Sequence, residues 1–217
     1  MDIWKLMEER HSVRQYTDQP ISPDLQKKIR ALVEEVNQES GLDIQVLFDE
    51  PTCFDSARAR YGKFSGVRNY LALIGPGSPD LDEKLGFWGE KIVLGLQEMG
   101  LNSCWVALTH GKSKAVIKSG EKQRCLICFG YGETQGHPHR NKSAAELSDV
   151  SNLTPEWFNK GVRAAMLAPT AINQQKFFIG YKDGEVSFKK GNSFYTGMDL
   201  GIVKYHFELG SGRKVTD

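Results

Sequence analysis

A four-residue pattern that begins helices occurs twice in this chain, and it constrains the fold more than any other sequence feature. ISPD at 21–24 and LTPE at 153–156 share the order apolar residue, hydroxyl, proline and acid. The hydroxyl suits an N-cap, proline suits the first helical turn, and an acid is favourable at the positive end of a helix. The pattern predicts one helix that ends at Gly41 and a second helix that begins near Pro155.

A second similarity supports an internal duplication. GLQEMGLNS at 95–103 resembles KYHFELGSG at 204–212, and both have the form of an amphipathic helix tail that ends in glycine-rich polar residues. Chance could produce either similarity alone. The residues themselves leave two interpretations open. The chain consists of two half-related parts, or the similar segments arose by chance.

Hydrophobic spacing elsewhere predicts alternating helices and strands. Apolar residues at helical spacing predict helices over 2–9 and 87–99, the second ended by Gly100. Asp183-Gly184 between two apolar runs predicts a hairpin turn. The predicted strands cover 44–48, 69–75, 104–108, 124–129, 177–181 and 185–189.

Composition excludes several protein classes. The chain has 217 residues, 28 Lys and Arg against 27 Asp and Glu, and a pI near 7.7, so nucleic acid is not an expected partner. No stretch has the ~20 apolar residues of a membrane span, and the N-terminus lacks the apolar core of a secretory signal. The four cysteines are too few and too unevenly spaced for a disulfide framework. We therefore expect a cytoplasmic protein that does not enter a membrane.

The first candidate site is a basic segment that follows the N-terminal helix. Arg10, Ser12 and Arg14 are two apart, so in an extended backbone their side chains point to one side. Two guanidinium groups with a hydroxyl between them suit a phosphate or another planar anion. The alternative is a solvated basic loop.

The second candidate site is the turn APTAINQQ at 168–175. It leaves a helix and enters a strand, and it offers hydroxyl, carboxamide and backbone donors that suit polyols and ring edges. The alternative is an ordinary proline-threonine helix exit in which Asn173 satisfies local backbone groups.

Zinc binding and thiol redox chemistry are not predicted. Cys125 and Cys128 are three apart in a strand-like run, which places them on opposite faces of a strand, and His137 and His139 have no spaced partner pair. The chain also lacks GxGxxG, GxxxxGK[ST], HExxH and GxSxG. We therefore assign no metal ligand and no side chain that acts as nucleophile, acid or base.

ERHSVRQY, APTAINQQKFFI and the helix that runs into GLNSCWV together resemble the nitroreductase superfamily of FMN-dependent oxidoreductases. The nearest pattern is that of members whose single chain forms a pseudo-dimer. The resemblance implies an α+β fold with a mixed or antiparallel sheet flanked by helices. It also implies two half-related parts, residues 1–150 and a second half at 151–217 that supplies the turn usually given by the opposite subunit.

The resemblance implies a role for each matching residue. Arg10 and Ser12 match contacts to the flavin phosphate and ribityl chain, and Arg14 matches the cation beside flavin N1 and O2. Gln-Lys-Phe after Gln174 departs from the family's Gln-Pro-Trp. The remaining implied contacts are Val106, Ala107 and Leu108 facing flavin N5, Pro169, Thr170 and Asn173 in the turn, His139 and Arg140 near the phosphate, and Lys63 as a second ring contact or a surface lysine.

The resemblance implies an FMN-dependent enzyme that transfers hydride from NAD(P)H to an electron-poor acceptor such as a nitroaromatic or quinone. The flavin does the chemistry, which agrees with the absence of a catalytic triad. One chain would build one complete site, as a monomer or within a homodimer. The alternatives are a non-catalytic protein that stores or senses FMN and a flavin-free interaction protein.

Overall fold

The computed structural model describes residues 2–215. It contains seven helices and six strands in those residues, with two short 3-10 turns at Pro51–Cys53 and Ala171–Asn173. Every strand pairing among the named strands is antiparallel, so the α+β class is confirmed. The order is α1 (Ile3–Glu9), α2 (Pro23–Ser40), β1 (Gln45–Leu47), α3 (Ala57–Tyr61), β2 (Asn69–Pro76), α4 (Leu81–Glu98), β3 (Asn102–Val106), β4 (Glu121–Gly130), α5 (Ala144–Leu147), α6 (Glu156–Ala165), β5 (Phe177–Lys182), β6 (Glu185–Lys190) and α7 (Thr196–Ser211).

The chain divides into two compact units. The sheet unit comprises Glu9–Leu81 and Ile92–His137. The helical unit comprises Asp82–Lys91, Pro138–Asp217 and Met1–Glu8, as far as these ranges are described. The division predicted from the sequence, residues 1–150 and 151–217, stays a prediction.

The sheet unit is built on a four-stranded sheet with the strand order β1-β2-β4-β3. All residues of β2 except Pro76 are buried, and the second half of β4 is buried as well. A strand that is buried on both faces has apolar residues on both faces. This explains the continuous apolar run NYLALIG. Tyr16, Phe54, Phe64, Tyr70 and Val106 lie in one core cluster of this unit.

The helical unit packs α6 against α7 and adds the β5-β6 hairpin. The rings of Phe158 and Phe207 lie 5.9 Å apart between the two helices. The hairpin turn has positive φ at Asp183 (52°) and Gly184 (89°), the backbone conformation of the predicted two-residue turn. Among the described helices, none combines the length and apolar character needed to cross a membrane.

The predicted helix after Ser22 is confirmed at both ends. The Ser22 hydroxyl accepts a hydrogen bond from the Leu25 N–H at 3.3 Å, and Gly41 ends the helix with a left-handed φ of 70°. The second helix start behaves differently, because Pro155 rather than Thr154 takes the N-cap position. The Thr154 hydroxyl instead contacts the Ser151 carbonyl and the Asn159 side chain, so only the first of the two matching patterns uses its hydroxyl as a cap.

Two helices differ from the sequence prediction, one because it is longer than predicted and the other because it was not predicted. α4 begins at Leu81 rather than Phe87, since Leu81 and Leu85 continue its buried face and Asp82 places an acid in the first turn. Segment 51–67, which periodicity does not resolve, contains α3, capped by the Ser56 hydroxyl.

Candidate functional site

The basic segment after α1 is an arm held by β3 and by a loop of the sheet unit. Val13 N–H donates to the Ser103 carbonyl at 3.0 Å, and Tyr16 N–H donates to the Ser65 carbonyl at 3.0 Å. The Tyr16 hydroxyl donates to the Val13 carbonyl at 2.6 Å. These contacts fix the backbone of the arm against the rest of the sheet unit.

Ser12 and the charges of Arg10 and Arg14 all influence one buried thiol, that of Cys104. Arg10 is 3% exposed, Ser12 is half-buried and Arg14 is exposed. A hydrogen bond from Cys128 lowers the pKa of Cys104 most, against the opposing effect of burial. The charge of Arg14, a hydrogen bond from Ser12 and the charge of Arg10 lower it further. The arm therefore concentrates positive potential and a hydroxyl donor in one place, an arrangement that suits an anion.

Lys63 lies in a loop that contacts the arm. Its φ of 62° is left-handed and its side chain is exposed. Ser65 N–H, two residues later, donates to the Arg14 carbonyl at 3.1 Å, and the Arg14 guanidinium lies 5.9 Å from the centre of the Phe64 ring. Phe64 and Ser65, the two residues after Lys63, both contact Arg14, so Lys63 lies close to the arm.

The segment 106–108 leaves the end of β3 at a cleft. Val106 is buried, Ala107 is half-buried and Leu108 is 69% exposed. The cleft has a volume of about 470 Å³ and belongs wholly to the sheet unit. Its lining includes Ala107 and Leu108 together with three basic residues, Arg58, His110 and Lys112.

The turn at 168–175 has an unusual backbone. Ile172, Asn173 and Gln175 have φ values of 48°, 56° and 46°, a left-handed conformation that costs a non-glycine residue about 1–2 kcal/mol. Gln175 N–H donates to the Thr170 hydroxyl at 3.1 Å, and Asn173 N–H donates to the Thr170 carbonyl at 2.9 Å. Such a conformation persists only where surrounding contacts determine it.

Asp199, in the first turn of α7, supplies two of those contacts. Its carboxylate accepts from the Ala171 N–H at 2.9 Å and from the Gln174 side-chain amide at 2.7 Å. Asp199 is 3% exposed, and burial raises its pKa to about 6 in spite of both hydrogen bonds. A buried carboxylate therefore fixes the turn.

The loop that contains His139 and Arg140 is joined to the same turn. The carboxamides of Asn173 and Gln175 both donate to the Arg140 carbonyl, each at 2.8 Å. Lys142 N–H donates to Gln175 Oε1 at 2.9 Å. His139 Nε2 lies 3.1 Å from the Met166 carbonyl, at the end of α6. The two predicted contact regions of the helical unit are thus one hydrogen-bonded assembly.

The residues proposed for the site form two groups, one in each unit. Arg10, Ser12, Arg14, Lys63, Val106, Ala107 and Leu108 lie in the sheet unit, and His139, Arg140, Pro169, Thr170 and Asn173 lie in the helical unit. The meeting of the two groups over one ligand stays a prediction.

Sequence reasoning missed three residues that organise these groups. Asp199 was detectable from the sequence, because an acid within the apolar run of α7 needs hydrogen-bond partners once that run is buried. Gln175 was noted only as a departure from the family pattern, although it is 4% exposed and holds the 140–142 loop. Cys104 had no local signal, because its neighbours depend on strand register.

The comparisons with known proteins agree with this fold. The family described as "Putative TM nitroreductase" matches residues 2–211. A "putative nitroreductase" structure from Thermotoga maritima is 24% identical with a TM-score of 0.70, covering 97% of this chain and 83% of that one. No curated protein matches the chain.

Two further solved structures share the fold over a shorter stretch. A "Nitroreductase Family Protein" from Streptococcus pneumoniae is 16% identical with a TM-score of 0.53, covering 67% of this chain and 98% of that one. A "Putative NADH dehydrogenase/NAD(P)H nitroreductase" from Bacteroides thetaiotaomicron is 19% identical with a TM-score of 0.53, covering 68% and 96%. Because the family match spans nearly all described residues, this chain belongs to the nitroreductase family of oxidoreductases.

Proposed function

We propose that this protein is an FMN-dependent oxidoreductase that passes hydride from NAD(P)H to an electron-poor acceptor such as a nitroaromatic or quinone. The observation that carries the proposal is the arm of the sheet unit, which carries Arg10, Ser12 and Arg14 within five residues and is held by backbone hydrogen bonds at Val13 and Tyr16. Membership of the nitroreductase family supports the reaction class. The name of the Bacteroides thetaiotaomicron structure, which includes NAD(P)H, supports the choice of reductant.

The donor chemistry of these residues fits FMN. A flavin mononucleotide carries a phosphate, a chain of hydroxyls and a ring edge that becomes negative on reduction. Arginine offers paired donors and a permanent charge, and a serine hydroxyl can donate to a phosphate or a ribityl oxygen. A cation, a hydroxyl and carboxamides are all present, so the residues suit each part of that molecule.

In this proposal Arg10 and Ser12 bind the phosphate and ribityl chain, and Arg14 lies beside the ring edge that bears N1 and O2. His139 and Arg140 assist at the phosphate, and Pro169, Thr170 and Asn173 contribute from the turn. The backbone of 106–108 faces N5, and Lys63 is a second ring contact.

The protein's part of the chemistry is electrostatic. When bound, FMN supplies reversible two-electron transfer, so no side chain needs to act as nucleophile or general base. The guanidinium of Arg14 would stabilise negative charge on the reduced ring edge. The cleft at Ala107 and Leu108 offers open volume next to the proposed N5 position, and Arg58, His110 and Lys112 give that volume a basic lining.

Absorption and turnover test the proposal. The purified protein, supplied with FMN, should acquire flavin absorbance and oxidise NADH or NADPH only when a nitroaromatic or quinone is present. Bound flavin without turnover on any acceptor would favour an FMN-binding or sensing protein, which the departure at Gln175-Lys176-Phe177 motivates. A protein that never acquires flavin would contradict both functions.

A further inference from the structure

The cleft at Ala107 and Leu108 is lined by positive charge that has no acidic counterpart. Arg58, at the second position of α3, and Lys112, in the loop after β3, both line the cleft and are both exposed. No acid is among the described residues of the lining, and neither cation forms an ion pair with a described carboxylate. Because arginine and lysine are cations at neutral pH, the cleft holds uncompensated positive charge.

The neighbouring cations of α3 and of the loop do have partners. The Arg60 guanidinium donates to a backbone carbonyl at 3.0 Å. Lys114 and Lys118 form ion pairs with Glu50 and Asp43, at 3.2 and 3.0 Å. Within these two segments, the cations without a partner are therefore those that line the cleft.

Buried polar groups fix the loop between β3 and β4. The Tyr70 hydroxyl accepts from the Lys114 N–H at 3.1 Å and donates to the Glu50 carboxylate at 2.7 Å. Tyr70 is fully buried and Glu50 is 7% exposed. The Gly111 N–H donates to the Cys53 carbonyl at 2.6 Å. These contacts lie on either side of the lysine that lines the cleft, so the backbone of this wall is preformed, as is usual for small-molecule sites.

An apolar surface lies in the same cleft. Leu108 is 69% exposed, and Ala57 and Ala107 line the cleft with it. A large apolar side chain that stays exposed in a preformed cleft suits a flat apolar ligand. The volume of about 470 Å³ lies within the range of small-molecule sites.

We propose that this cleft binds acceptors in which an aromatic ring carries an acidic group, such as nitrobenzoates and quinone sulfonates. The ring packs on Leu108, and the acidic group contacts Arg58 and Lys112. Arginine can donate two parallel hydrogen bonds to such a group, and lysine adds a compact charge. The identification of the bound acid as an acceptor rests on the proposed function, whereas the binding of the acid does not.

Binding to the purified full chain, with and without added FMN, tests the cleft apart from turnover. 4-Nitrobenzoate and 4-nitrobenzamide have nearly the same size but differ in charge, and ligand-observed NMR titration measures Kd for each. We expect the benzoate to bind about tenfold more tightly, with a preference that falls as KCl is added. Arg58→Gln and Lys112→Gln should each reduce this preference. Arg60→Gln should keep it, because Arg60 belongs to the same helix but does not line the cleft.

Turnover of the FMN-loaded protein tests the acceptor assignment. The two nitro compounds differ in reactivity, so the measured quantity is the change in their kcat/KM ratio on substitution. Arg58→Gln and Lys112→Gln should lower kcat/KM for 4-nitrobenzoate and leave that for 4-nitrobenzamide unchanged. The same variants are assayed with NADPH and NADH, because the extra phosphate of NADPH is another acidic group attached to a ring system. Their NADPH-to-NADH ratio should equal that of the wild type.

Equal affinity for the two probes, or a preference that Arg58→Gln and Lys112→Gln leave unchanged, would overturn the site. A change in the NADPH-to-NADH ratio without a change in the acceptor ratio would also overturn it, since the charge would then serve the reductant. A chain that binds 4-nitrobenzoate with the expected preference but takes up no FMN contradicts the proposed function and leaves the acid site standing. The two failures are therefore distinguishable.

Discussion

The carboxylate of Asp199 accepts a hydrogen bond from the backbone N–H of Ala171 at 2.9 Å. This contact joins the first turn of α7 to a turn whose residues Ile172, Asn173 and Gln175 all have positive φ. The conformation of the turn is thus supported by a side chain more than twenty residues away in sequence as well as by its own hydrogen bonds to Thr170. The contact also makes the turn sensitive to the charge of one buried group.

Asp199 should give the protein a pH-dependent stability. Burial raises its pKa from 3.8 to about 6, so the folded protein holds this proton more tightly than the unfolded chain. The contribution is fully present below about pH 4 and is lost as the pH rises toward 6. Asp199→Asn cannot ionise. Between pH 4 and 7 the variant should therefore gain up to about 3 kcal/mol relative to the wild type in urea unfolding.

Asp149→Asn is the matched control for this measurement. Asp149 also accepts a backbone N–H, that of Tyr181 at 2.9 Å, but it is exposed. The control should keep the wild-type pH profile. Equal pH dependence in the wild type and in Asp199→Asn would contradict the assignment.

Gly201 should not tolerate alanine. A Cβ at Gly201 of α7 would overlap the Glu83 carbonyl of α4 and press on the backbone nitrogen of Phe87. Neither is a flexible side-chain tip, so the helices would have to separate. Gly201→Ala should lower the free energy of unfolding by about 1–3 kcal/mol in urea titration.

The same substitution at Gly197 is the control, because it lies in the same helix and its new Cβ would meet only the Asp82 side chain at 3.3 Å and Lys190 Nζ at 3.9 Å. Gly197→Ala should therefore cost less than Gly201→Ala. Equal costs would mean that the close contact at Gly201 is not what limits side-chain size.

Local chemistry predicted much of this fold, since a cap or a two-residue turn is decided by a few neighbouring residues. Ser22 and Gly41 bound α2 as predicted, and Asp183-Gly184 forms the hairpin turn. The start of α4 was predicted too late, because the glycines and prolines before Phe87 outweighed the buried pair Leu81 and Leu85.

The sequence did not predict contacts between residues that are far apart in the chain. The spacing of Cys125 and Cys128 argued correctly against a pair within one strand, yet it could not identify Cys104 as the neighbour of Cys128. That pairing depends on the register of two strands, which is set by packing of the whole sheet. The support given to the turn by Asp199 is hidden for the same reason, because it requires α7 to be placed first.

The buried pair of His206 and Glu90 should behave as a coupled unit. Both side chains are fully buried, and His206 Nε2 lies 3.0 Å from Glu90 Oε1. The other ring nitrogen, Nδ1, lies 3.2 Å from the Ala164 carbonyl, which accepts its hydrogen bond. Replacing one partner leaves the other buried without its counterpart, so Glu90→Leu and His206→Leu should each cost about 3–5 kcal/mol.

A double-mutant cycle measures this coupling by urea unfolding of both single variants and the double variant. The double variant should lose clearly less stability than the sum of the single losses, since each single variant already removes the contact between the two side chains. Additive losses would show that the two side chains do not depend on each other.

Arg14→Ala should weaken FMN binding if the arm holds the flavin as proposed. The guanidinium is the exposed cation of the arm, and its loss removes a charged hydrogen-bond donor worth about 1.5–3 kcal/mol, which corresponds to about a tenfold to hundredfold rise in Kd. The potential of bound flavin should also fall, because the reduced ring loses the cation that stabilises its charge. Quenching of flavin fluorescence and spectroelectrochemical titration measure the two effects.

Arg30→Ala is the control for Arg14→Ala, because the Arg30 guanidinium also lies over a phenyl ring, 4.8 Å from the centre of Phe48, but belongs to α2. It tests whether losing a cation stacked on an aromatic ring is by itself enough to change flavin binding. Unchanged affinity and potential in Arg14→Ala, or equal losses in both variants, would mean that the flavin edge does not lie at Arg14. A loss confined to Arg14→Ala would place the negative edge of the ring at the exposed end of the arm.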